Sequence, residues 1–130
     1  MALSSQVKPS EPLGRFLTQS KHFVRTNNEV KFKAFMPPPN LCLSVYRIDG
    51  LKLDEIWDAG QKVILAMPER KTLYGVADIK ARIVEREKLE IEPDKLPCRH
   101  ANIVGWPEND ARQLSIAQKL AAEAKLILKH

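Results

Sequence analysis

Apolar positions along the chain follow two rhythms, one of period two and one near 3.6, separated by short polar or proline-rich breaks. A polar opening ends in Lys8-Pro9-Ser10. Ser10-Glu11-Pro12-Leu13 then has the make-up of a helix start, with a capping hydroxyl followed by acid and proline in the first turn. The spacing predicts a short helix with Leu13, Phe16 and Leu17 facing inward, weakened by Gly14. His22 to Arg25, Thr26-Asn27-Asn28 and Val30 to Ala34 then read as strand, turn and strand. Lys31 and Lys33 fall on the face opposite Val30, Phe32 and Ala34. Pro37-Pro38-Pro39 ends this run, because proline cannot donate to a sheet ladder. Leu41 to Ile48 reads as a third strand closed by Asp49-Gly50, so the sequence predicts a three-stranded meander from about residue 22 to 48.

The second half alternates helix and strand signals. Leu53 to Trp57 opens a helix that Gly60 either ends or lets pack closely, and Val63 to Met67 either continues it or forms a strand. Leu73 to Val76 is a short strand candidate, and Asp78 is placed to cap a helix running to about Lys88. Leu89 to Glu92 alternates as a strand, and His100 to Val104 is the last strand expected. Gly105-Trp106-Pro107 punctuates, with Trp106 as a core anchor and Pro107 at the first helical position. The final helix carries Leu114, Ala117, Leu120, Ala121, Ala124 and Ile127 on one stripe, towards Leu128. The expected fold is α+β. A mostly antiparallel sheet with an N-terminal three-stranded meander packs against a long C-terminal helix and two or three shorter ones. Residues 1–10 are expected as a flexible tail and residues 11–130 as one α+β domain.

Composition narrows the class. A chain of 130 residues with 44% hydrophobic residues can build a core without staples. The longest apolar run, Val63 to Met67, falls far short of the roughly 18 residues that span a bilayer. The opening Met1-Ala2-Leu3-Ser4-Ser5-Gln6 lacks the layout of a signal peptide, so a cytoplasmic location without membrane contact is expected. Cys42 and Cys98 form no C-x-x-C pair and read as thiols. The net charge of +5 favours acidic partners, nucleic acid or nucleotides among them.

Motifs that would name a chemistry are missing. The chain has no phosphate-cradling glycine loop, no H-E-x-x-H, no G-x-S-x-G and no zinc-finger spacing, and no cofactor is implied. What remains are polar side chains beside apolar strand positions. His22 and Arg25 lie on the first expected strand of the meander, and Arg47 lies on its third strand. Arg99, His100 and Asn102 lie at the last strand. Histidine transfers protons near neutral pH, and arginine grips phosphate with a planar fork. The leading expectation is a binding module for a phosphate-bearing partner, using Arg25, Arg47, Arg99, Asn102, Lys31 and Lys33. A protein-interaction domain is the second reading, favoured by an exposed patch at Trp57 or Trp106. An enzyme with His22 and His100 as acid and base is the third, and it requires both in one cleft. A metal held by His22, Cys42, Cys98 and His100 is the weakest, because zinc motifs bring ligands in close local pairs. Against all of these stands the plain alternative that each group is a surface residue or an internal partner, Arg47 as an ion pair above all.

Overall fold

The first regular element is a strand where the sequence predicts a helix. The structure, a computed structural model, describes residues 6–69, 71–94 and 99–129. β1 (Pro12–Leu17) lies in the middle of the main sheet, with Leu13 and Leu17 fully buried on one face. Capping and proline signals act only on the local chain, whereas β1 gains ladder partners on both sides and covers on both faces. Tertiary pairing overrides the local preference. Gly14 suits this position because a side chain there would collide. An added Cβ would stand 2.9 Å from Val76 Cγ2 and 3.0 Å from Ile48 Cγ2.

The chain then makes a 3₁₀ turn (Ser20–His22), a small hairpin of β2 (Phe23–Val24) and β3 (Glu29–Val30), and a second 3₁₀ turn (Phe32–Phe35). β4 (Leu43–Arg47), α1 (Leu53–Leu65), β5 (Gly75–Lys80), α2 (Ala81–Arg86) and β6 (Glu90–Pro93) follow. β7 (His100–Val104), α3 (Asp110–Glu123) and β8 (Lys125–Leu128) complete the order. Six strands form one sheet in the order β6-β7-β4-β1-β5-β8, each neighbour antiparallel. The α+β class with a mostly antiparallel sheet is therefore correct.

Several local expectations are corrected. The meander does not form: β2 and β3 pair only with each other, and β4 pairs with β1 and β7. The expected Asn turn is present, with Asn28 at φ 54°, but Phe32–Phe35 coils to bury Ala34 and Phe35 instead of extending. Asp78 sits inside β5 and caps nothing; the helix begins at Ala81. α1 runs through Gly60, which packs closely on Leu73 and Phe16, and it reaches Leu65. The last helix starts later and ends sooner than expected. Asn109 caps it by accepting from the Arg112 backbone N–H, and Ala124 leaves it for β8. Leu126 and Ile127 thus belong to a strand, where pairing with Ala77 and Val76 of β5 outweighs the helical stripe. Residues 6–10 lie against the fold, with the Pro9 carbonyl accepting from Arg82 N–H; the rest of the expected tail, 1–5, is outside the described residues.

The sheet has one fully covered face and one half-covered face. α3, Phe35 and Trp106 pack over Leu13, Leu17, Leu43, Val45, Ala77, Ile79 and Ile103. Trp106 is buried as expected and donates from Nε1 to the Ile103 carbonyl at 3.0 Å. On the other face, Ile56 and Trp57 of α1 cover Ile48 and Val76 with Phe16, Tyr46 and Ile127 beside them. The β7–β6 side of that face stays open, where Asn102 stands opposite Ser44 and Glu92. No helix among the described residues is long and apolar enough to cross a membrane.

Candidate functional site

The half-covered face contains a break in the sheet. β1 runs its whole length against β5 but pairs with β4 only at Leu13–Arg47 and Gly14–Tyr46. Beyond Gly14 the two strands part, and Arg15, which leaves β1 on the covered face with Leu13 and Leu17, spans the parting. Its Nε donates to the Ala34 carbonyl at 2.9 Å and its Nη1 to the Ser44 carbonyl at 3.0 Å. Burial lowers its pKa to about 10, so the guanidinium stays cationic at neutral pH. Nη2 makes no hydrogen bond to any described residue.

Between this parting and the end of α1 lies a groove of about 180 Å³. Phe16, Tyr46, Val63 and Met67 supply its apolar wall, and Arg15, Thr18, Ser44 and His100 its polar lining. Phe16 and Tyr46 tilt against each other with ring centroids 5.7 Å apart. His100 enters because it is directly opposite Tyr46 across the β4–β7 ladder, so both side chains point to one face.

His100 is held from behind. Its Nδ1 lies 2.6 Å from Asp94 Oδ2, and Asn102 Nδ2 donates to the same oxygen at 3.2 Å. Asp94 is fixed in turn by its own N–H, which donates to the His100 carbonyl at 2.8 Å. A carboxylate accepts only, so Nδ1 carries the donated proton, and in the neutral imidazole Nε2 is the acceptor. Nε2 has no partner among the described residues.

The other expected site residues are dispersed. His22 sits buried in the first 3₁₀ turn, does not line this groove, and has an Nδ1 without a hydrogen bond. Burial lowers its pKa to about 4, helped by the charges of Arg15, Lys21, Lys71 and Lys33. Among the described residues the groove contains one imidazole, and the expected pairing of His22 with His100 is not assembled there. Arg25 is exposed and lies over the Phe23 ring at 5.4 Å. Arg47 is locked to Glu11 in the interior, and Arg99 donates to the Arg47 and Asp49 carbonyls, both at 2.9 Å. Neither is placed as a ligand clamp. Lys31 and Lys33 are exposed beside Ala121 and Ala122 of α3, away from this groove. Among the described residues no three His, Cys, Asp or Glu gather as a metal site; Cys42 is half-buried and Cys98 lies outside those residues.

Two groups escaped the sequence reading. Arg15 falls between Leu13 and Leu17 on the buried face of a strand, a signal hidden once the segment is read as a helix. Asp94 precedes His100 across a strand reversal, and the β6–β7 register that joins them is not visible in spacing alone. Against known protein families, curated proteins and solved structures, the chain finds no match.

Proposed function

We propose that the chain is a binding module for a small phosphate-bearing ligand, a nucleotide, seated in the groove between α1 and the β1–β4 parting. The observation that carries this reading is the placing of Arg15, a cation with a spare donor edge, in the same groove as His100. Guanidinium donors suit phosphate oxygens. The partly exposed aromatic pair of Phe16 and Tyr46 offers a surface on which a base can stack.

Charge favours a small ligand over a polymer strand. Arg15, Lys21, Lys33 and Lys71 all bear on His22, and of these Arg15 lines the groove. Along the open face the sign reverses, because Glu90 and Glu92 are exposed on β6. A nucleic-acid backbone crossing that face would meet like charge. Trp106 is buried and Trp57 is half-buried, so neither builds the exposed patch that an interaction domain would present.

Chemical-shift mapping with nucleoside monophosphates, inorganic phosphate and a short single-stranded oligonucleotide tests the reading. Shifts at Arg15, Ser44, Tyr46 and His100 are expected from the nucleotide, with binding at least tenfold weaker in R15M. Shifts that cluster on α2 and α3, or that the oligonucleotide produces far more strongly, would sink it.

A further inference from the structure

We propose that the groove is hydrolytic, with His100 as general base on a water molecule that attacks a phosphoanhydride of a nucleoside diphosphate. This rests on the groove being a nucleotide seat, and it adds a reaction to that reading. The starting point is the hold on His100. A surface ion pair needs only proximity, whereas this imidazole is fixed at Nδ1 by a carboxylate that is itself fixed twice, by Asn102 Nδ2 and by its own backbone N–H. The His100 side chain is 21% exposed and Asp94 41%, so the histidine lies deeper than its partner. Such an arrangement sets one tautomer and one ring orientation, and it leaves Nε2 as an acceptor in a groove that holds a fixed cation.

The substrate class follows from what the groove holds. Among the described residues, His100 is the imidazole that lines it and can take a proton from the nucleophile, whereas His22 sits in the first 3₁₀ turn. A phosphoanhydride suits a site with one base, because phosphate departs as a stable anion and needs no proton at that moment. Arg15 would neutralise charge on the non-bridging oxygens, where it develops during transfer.

The step balances as follows. His100 Nε2 takes a proton from water, and the water oxygen forms a bond to the terminal phosphorus. The bond from that phosphorus to the bridging oxygen breaks, and its electron pair leaves with the nucleoside monophosphate. His100 then returns the proton to solvent. The net reaction converts a nucleoside diphosphate and water into a nucleoside monophosphate, inorganic phosphate and a proton.

Purified full chain incubated with each of the common nucleoside diphosphates tests this, with phosphate release and calorimetric binding followed side by side. H100Q is expected to lower kcat about 100-fold or more while Kd stays within about threefold, as for loss of a general base. In H100G, added imidazole restores phosphate release. Asp94 acts through His100 as a positioning residue, so D94N lowers kcat at unchanged KM and imidazole does not rescue it. Nucleotide binding with phosphate release no faster than in H100Q overturns the hydrolytic inference and leaves the binding reading standing. Absence of nucleotide binding by the unaltered chain overturns both.

Discussion

Glu11 and Arg47 meet in the interior as a bidentate pair, Nε to Oε2 at 2.6 Å and Nη2 to Oε1 at 2.8 Å, with both side chains 5% exposed. The pair joins the chain just before β1 to the end of β4. It also underpins Arg99, whose Nη1 donates to the Arg47 carbonyl.

Breaking this pair on one side removes the bidentate counter-charge of a buried group. R47M and E11Q are each expected to cost about 3–5 kcal/mol of stability, read by urea denaturation. The double variant E11L/R47M should cost clearly less than the sum of the two, because neither charge remains. A strictly additive cycle would show that the two residues act independently.

Arg15 carries structure as well as charge. R15M removes two hydrogen bonds and leaves the Ala34 and Ser44 carbonyls without that donor. A loss of about 1–3 kcal/mol is expected from the same denaturation measurement. R15K keeps the charge but lacks the planar fork, so it should recover only part of the stability. Full recovery in R15K would mean that charge alone matters.

His22 makes stability depend on pH. Its folded-state pKa is lowered from 6.5 to about 4, so between these values the unfolded chain binds the extra proton. Stability should therefore be fully present above about pH 6.5 and fall as the pH drops towards 4. Thermal melts across this range should show a shallower slope in H22Q than in the unaltered chain. Equal slopes would remove His22 as the cause.

Gly14 tolerates no side chain without movement. G14A brings a Cβ to 2.9 Å from Val76 Cγ2, and a cost of about 1–3 kcal/mol is expected as Val76 and Ile48 shift. Hydrogen exchange should accelerate first in β1 and β5, which pair at this point. An unchanged exchange pattern would show that the neighbours yield freely.

Legibility in the sequence divided along physical lines. α3, β7 and the Trp106 anchor were readable because each is specified by its own neighbours: an apolar stripe, an alternation, a buried indole. β1 was not, because Pro12 and Glu11 speak for a helix, while the reasons for a strand lie in β4 and β5. The 3₁₀ turn at Phe32–Phe35 was hidden for a similar reason, since period-two spacing describes which residues face inward and cannot tell an extended chain from a coiled one. Among candidate site residues, His100 and Asn102 emerged from the sequence and do stand together. Arg47 and Arg99 look the same in sequence and are internal ties, because only the three-dimensional packing decides whether a guanidinium meets a carboxylate, a carbonyl or solvent.

The central place of β1 bears on how the protein is made. During synthesis from the N-terminus, Leu13 and Leu17 emerge long before β4 and longer still before β5, the two strands that flank them. A ribosome-bound chain therefore carries a sticky, unmatched segment through much of its elongation, and distant pairings of this kind close slowly. β1 cannot complete its ladder until β5, which ends at Lys80, has been made and is free of the ribosome.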